Sequence, residues 1–302
     1  MKKIYPITGT FIDEITYDIP TQNWSDEQWC ADLDNMKAVG LDTIIVMRGA
    51  FYDKCIYPSS HFPTLKKEGE DFARLMFEEA AKRDMKVYMG LYISNLTWNS
   101  GDFRTEIEKN KIYIPEVLER YGDIPSFCGW YIPHETGSNI YNIKETMGGL
   151  SALCKDKSPE KEVLISPFFR GVGLYPEPLE PERTAYEWNN ILEKCGKDID
   201  VCAFQDGTAT LDTYADYLKN IKPVMDGHNI RLWANVESFE RDVRCMYLPI
   251  PFDILRRKIE IAEPYVEKCI TFEFSHFMSP QSIFPSARNL NNLYRRYYEK
   301  NN

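Results

Sequence analysis

Two glutamates close apolar stretches of the chain at places suited to acid–base chemistry: Glu135 ends SFCGWYIPHE, and Glu237 follows WANV in IRLWANVESF. A pair of carboxylates can hydrolyse a glycosidic bond, one protonating the leaving oxygen while the other attacks the sugar or activates water. A separation of about 5–5.5 Å would retain configuration, and one of about 6.5–9.5 Å would invert it. Further polar side chains close comparable stretches: Asp13, Arg48, Tyr92, Gln205 with Asp206, and Glu273 with His276. Other chemistries find less support. The four histidines (His61, His134, His228 and His276) form no HxH or HExxH, so a metal site is not expected. No GxGxxG follows an early strand, no GxSxG is present, and neither VESFERD nor SHFMSPQS supplies a glycine-rich phosphate turn. The expectation is no cofactor and no metal.

These residues need elements to position them, and the chain supplies a regular alternation. Strands are predicted over 5–13, 41–49, 86–94, 126–135, 162–169, 199–207, 230–239 and 269–277. Helices are predicted near 25–39, 71–83, 102–121, 140–156, 183–196, 211–226, 252–263 and 286–299. Strands alternating with helices imply βαβ units and a parallel sheet. Eight units in 302 residues fit a closed (β/α)₈ TIM barrel, an α/β fold, better than an open doubly wound sheet. With no linker or low-complexity stretch, one domain over 1–302 is expected. In such a barrel the active site lies at the C-terminal ends of the strands.

Side-chain alternation then orients the candidates. In strand seven Leu232, Ala234 and Val236 form an aliphatic face for the helices, which turns Trp233, Asn235 and Glu237 toward the barrel axis. In strand four Gly129, Tyr131, Pro133 and Glu135 share a face opposite Cys128, Trp130 and Ile132. In strand eight Thr271, Glu273 and Ser275 form a polar stripe expected to be internal. Burial against Trp233 and Tyr131, with like-charge repulsion, is expected to keep one glutamate protonated near neutral pH.

The two glutamates resemble those of the large clan of retaining (β/α)₈ glycosidases, which carry an acid/base on strand four and a nucleophile on strand seven. More closely, ITGTFID…NW…W…L…MKAVGLDTIIV, with GWYIPHE, FQDG and WANVESF, is similar to a bacterial family of glycosidase-like barrels described mainly as domains of unknown function. The likeness covers about 5–280. It implies Glu135 as acid/base and Glu237 as nucleophile, with Gln205 and Asp206 as sugar-binding neighbours. Two positions depart from the clan pattern. His134 stands where an Asn normally holds the sugar 2-hydroxyl, and Phe274, His276 and Phe277 occupy the region of the usual strand-eight Trp.

The expected activity is therefore a glycoside hydrolase, with a retaining mechanism the favoured form. A non-catalytic carbohydrate-binding barrel is the alternative that the missing Asn motivates. A lyase or isomerase acting on a sugar acid is the one that Arg48 and the spare carboxylates motivate. Tyr92 and Trp98 would be sugar platforms, Asp13 and His276 ligand contacts, and Arg48 a partner for a uronate; Tyr131, His134, Trp233, Asn235 and Glu273 complete the expected substrate-binding set. Each residue also has a plainer reading. Glu135 could cap the following helix, Glu237 could pair with Arg241 or Arg244, and Asp206 could be a turn residue before Gly207. Glu273 could ion-pair with Arg48.

A net charge of −10 without a dense Lys/Arg cluster argues against nucleic acid. No apolar run reaches the roughly 18 residues that span a bilayer, and MKKIYPITGT lacks an apolar signal core. The eight cysteines show no CxxC and read as buried reduced thiols. Together these point to a cytoplasmic chain, or a periplasmic one if an export signal has been removed, with an oligosaccharide or glycoside as its partner.

Overall fold

The structure is a computed structural model that describes residues 6–16, 20–65, 71–94, 102–139, 142–173, 177–241 and 246–301. Eight parallel strands close into a barrel: β1 (Gly9–Ile12), β2 (Thr43–Val46), β3 (Lys86–Gly90), β4 (Phe127–Ile132), β5 (Glu162–Ile165), β6 (Val201–Gln205), β7 (Arg231–Asn235) and β8 (Lys268–Thr271). The seam is made by β1 and β8, with Gly9 beside Ile270 and Thr10 beside Thr271. Around the barrel lie α1 (Asp26–Ala38), α2 (Phe72–Lys82), α3 (Phe103–Tyr121), α4 (Ile143–Lys157), α5 (Pro181–Cys195), α6 (Tyr214–Gly227) and α7 (Phe252–Ala262), followed by a one-turn α8 (Phe274–Phe277) and α9 (Pro285–Asn301). The fold is the expected (β/α)₈ barrel.

Local sequence explains the element starts. Ser25 and Gln28 form a reciprocal capping box at α1. Asp71 caps α2 by accepting the Arg74 N–H at 2.9 Å, and Pro181 opens α5, where its missing N–H costs nothing.

Apolar side chains sort into two layers, as the alternation requires. Phe11, Ile45, Tyr88, Tyr131, Leu164, Ala203, Trp233 and Ile270 fill the barrel. Leu232, Ala234, Val236, Trp130 and Ile132 belong to the layer between barrel and helices, as expected for β7 and β4. Cys128 departs from its assigned face and joins the interior. Val87 pairs with Phe127 but Tyr88 with Gly129, so Cys128 is the extra residue of a bulge, which leaves the alternation intact on its C-terminal side. Gly129 is required beside it, because a Cβ there would lie 2.5 Å from the Glu162 carbonyl oxygen.

Strand eight differs more. It ends at Thr271, and Phe274–Phe277 are helical, so the predicted strand over 269–277 is about half helix. Ile270 and Phe272 pack with the barrel interior while Cys269 and Phe274 lie in the outer layer. Thr271 therefore faces outward, not inward, and Glu273 lies beyond the end of the strand. The polar pattern misled here because Thr271 and Thr10 satisfy backbone oxygens of neighbouring strands instead of facing water: Thr271 Oγ1 donates to the Val236 oxygen at 2.6 Å and Thr10 Oγ1 to that of Thr271 at 3.3 Å.

Beyond the C-terminal rim, Ala50–Phe51 pairs with Lys54–Cys55 and with Tyr92–Ile93. A hairpin of Phe239–Arg241 and Tyr247–Pro249 rises directly after Glu237. Among the described residues, no helix is long and apolar enough to cross a membrane.

Candidate active site

The last residues of β6 organise both glutamates. Gln205 Nε2 donates to Glu135 Oε1 at 3.1 Å and to the Ser166 carbonyl oxygen at 2.9 Å, which holds the amide in one orientation. Asp206 Oδ1 accepts the Glu237 N–H at 3.2 Å. At Gly207 a Cβ would approach Glu237 Oε1 to 3.0 Å, so the absent side chain gives the carboxylate its room. Gln205, Asp206 and Gly207 thus address Glu135 on one side and Glu237 on the other.

Glu135 reaches solvent, while Glu237 is half-buried and Asp206 fully buried. Surrounding protein pushes the Glu135 carboxyl above its ordinary range, opposed by the Arg48 guanidinium and the Gln205 hydrogen bond. Glu237 is pushed up to about 8, by burial first and then by the negative charges of Asp206 and Glu135, with Lys258 and Arg241 opposing. Burial likewise raises Asp206. At neutral pH the rim therefore holds at least one proton among closely spaced carboxyls, on Glu237 by preference. Glu135 does not cap the helix that follows it. Asn142, not Glu135, precedes α4. Arg241 Nη2 donates to the Tyr247 hydroxyl at 2.6 Å, and Arg244 lies outside the described residues.

Arg48 and Asp13 form a pair of their own at 2.5 Å. Asp13 Oδ2 also accepts the Thr16 hydroxyl at 2.6 Å, and Oδ1 accepts the Ile15 and Thr16 N–H groups. Arg48 is thus carried by the segment that follows β1, through Asp13 and Thr16. Tyr131 lies inside the barrel beneath Glu135, edge-on to Phe11 with centroids 5.0 Å apart. Asn235, one turn of the pleat below Glu237, is buried and donates to Ser166 Oγ at 3.4 Å.

The remaining expected residues lie elsewhere. Trp233 is deep in the barrel, near Lys268 and Arg231 at the strand starts, so it cannot provide the apolar wall expected for Glu237. Tyr92 is buried, stacked on Phe62 at 5.5 Å, and donates its hydroxyl to the Tyr52 carbonyl oxygen. Trp98 lies outside the described residues. His134 turns away from the mouth, its Nε2 lying 3.2 Å from Glu106 Oε2 in α3, where Glu106 also accepts the Ser94 N–H and hydroxyl. It therefore does not occupy the place of the clan's sugar-binding Asn.

Glu273 pairs with His276, not with Arg48. His276 Nε2 also lies 3.4 Å from the Thr21 hydroxyl. Burial opposes the imidazolium, but Glu273, Asp13 and Asp32 outweigh it and raise its proton affinity. This buried group ties α8 to the first loop beside the mouth.

Sequence reasoning missed Lys258, which reaches Asp206 Oδ2 at 3.1 Å from α7. It also missed Glu106 and Ser166. A lysine or glutamate on an amphipathic helix ordinarily faces water, so neither carried a signal; Gly207 did, in the FQDG turn. Among the described residues, no group of three or more His, Cys, Asp or Glu side chains could hold a metal ion.

A closed eight-stranded α/β barrel with carboxylates at the ends of strands four and seven defines the class of glycoside-hydrolase-like (β/α)₈ barrels. Within it, residues 7–284 match the model of a domain of unknown function, DUF4434, and the chain belongs to that family. A protein from Bacteroides thetaiotaomicron VPI-5482, provisionally designated an alpha-L-fucosidase, is 38% identical with a TM-score of 0.92, over 99% of this chain and 94% of that one. An intracellular xylanase from Thermoanaerobacterium saccharolyticum shares the fold at 10% identity and TM-score 0.53, over 90% and 89% of the two chains. A beta-galactosidase from the haloarchaeon Halorubrum lacusprofundi does so at 12% identity and TM-score 0.64, over 98% of this chain and 58% of that one. None of the curated protein sequences compared matches the chain.

Proposed function

We propose that this protein is a glycoside hydrolase acting through Glu135 and Glu237 with retention of configuration, Glu135 serving as acid/base and Glu237 as nucleophile. The observation that carries the reading is the β6 terminus, whose side chains hold one glutamate by its carboxylate and the other by its N–H. Raised proton affinity on both suits a site that must give and take a proton. The 38% identical barrel, designated for fucose release, makes a small terminal sugar the first substrate to try.

One observation favours exchanging the two roles. Arg48 and Gln205 favour the anion at Glu135, whereas Asp206 and Glu135 itself disfavour it at Glu237, which leaves the proton on Glu237, ready to be donated. A single experiment separates the assignments. Incubation with an activated 2-deoxy-2-fluoro glycoside traps the covalent sugar ester, and peptide mass mapping locates it. An ester on Glu237 supports the proposed roles, and one on Glu135 exchanges them. Multiple-turnover hydrolysis that survives in both Glu135→Gln and Glu237→Gln would end the proposal.

A further inference from the structure

Lys258 occupies an unusual place for a helix lysine. It leaves α7, on the outer layer, and carries its ammonium under the rim, with a side chain only 13% exposed. There it lies 3.1 Å from Asp206 Oδ2 and donates to the Glu237 carbonyl oxygen at 3.4 Å. Asp206 in turn accepts the Glu237 N–H through its other oxygen. The two side chains therefore hold the Glu237 backbone at both its polar groups and place one positive and one negative charge beside its carboxylate. A buried carboxylate is costly unless paired, and Lys258 supplies that pairing to Asp206.

We propose that Lys258 is a positioning residue for Glu237: through Asp206 and the Glu237 carbonyl it fixes where that carboxyl sits and the pH at which it loses its proton. Among the described residues, the charged and titratable groups facing Glu237 are few. Asp206 and Glu135 oppose its ionisation, Lys258 and Arg241 favour it, and the buried Tyr214 phenol of α6 feels both Asp206 and Glu237 but stays neutral. The inference rests on the proposed role of the glutamate pair only for its kinetic consequence, since the charge relation is a property of the protein's own side chains.

The test is a carbon-13 NMR titration of glutamate carboxyls in the full chain, with the Glu237 signal assigned by its loss in Glu237→Gln. Lys258→Met should raise the Glu237 midpoint by about one pH unit or more, Asp206→Asn should lower it by a similar amount, and Lys258→Arg should leave it near the native value. An unmoved midpoint in Lys258→Met, or a shift of the same sign in Lys258→Met and Asp206→Asn, would overturn the proposal. Should Lys258→Met fail to fold, Lys258→Gln and Asp206→Asn carry the same opposite signs. If the midpoints move as stated while no glycoside is turned over, the positioning role stands and the hydrolase reading falls.

Discussion

Gln205 acts directly on the proton affinity of Glu135, beside the larger effect of the Arg48 guanidinium, because its amide donates to the carboxylate and is itself anchored on Ser166. A hydrogen bond to the anion favours ionisation. Gln205→Ala should therefore raise the Glu135 carboxyl further and move the basic limb of the kcat/KM profile to higher pH. It should also lower kcat about tenfold or more on substrates with poor leaving groups; an unchanged profile would separate Gln205 from the acid/base. How much of this was legible depended on what each residue does with its backbone. Glu237 could be oriented from WANVE because an aliphatic stripe marks the opposite face. Glu273 could not, because its strand ends two residues earlier and the chain turns into α8. Lys258 was invisible for a different reason: its burial is decided by Asp206, which lies 52 positions earlier in the sequence.

At the scale of elements, β4 shows how one extra residue protects a functional direction. The bulge at Cys128 leaves Tyr131 inside the barrel and Trp130 and Ile132 against the helices. Gly129→Ala would drive a methyl into the Glu162 carbonyl oxygen and the Tyr88 ring, 2.5 and 2.7 Å away, neither free to yield. It should destabilise by about 2 kcal/mol or more, read as a lower urea midpoint at unchanged slope. Gly227→Ala is the control, since nothing lies within 4 Å of a Cβ at that last position of α6. It should hold stability or add up to about 1 kcal/mol. Helices and strands were legible because capping residues and period-two patterns are local. The bulge was not, since an unpaired residue is defined only by the register of its neighbour.

Across the whole molecule, the same burial that serves the site shapes the response to pH. Burial raises Asp32 to about 6 and Glu237 to about 8, and it also lifts Glu135, Asp206 and Glu273. In the unfolded chain these carboxyls would ionise near pH 4. Between about pH 4.5 and 8 the folded state thus holds more protons than the unfolded one, and stability falls as pH rises. The raised His276 acts in the same sense, since its cation is stabilised below its folded midpoint and that contribution fades as pH climbs. Glu79, lowered to about 2 by its hydrogen bonds to Lys82 and Arg83, acts only at more acid pH. The Tm should be several degrees higher near pH 5.5 than near pH 8.5. Asp32→Asn should flatten the acidic part of that slope, and a Tm that rises across the interval would contradict this account.

The barrel seam has a consequence for how the chain is made. Gly9 and Thr10 find their partners at Ile270 and Thr271, and the Ile7 N–H is satisfied by the Tyr294 hydroxyl of α9. A ribosome delivers these partners more than 260 residues apart, so through most of synthesis the first strand waits with one edge unmatched. Pairings so distant along the chain form slowly, and until they form an open strand edge can recruit a stranger. A cell that makes this protein quickly should therefore rely on chaperones that shield early-emerging strands, more than for a fold whose contacts close as they appear.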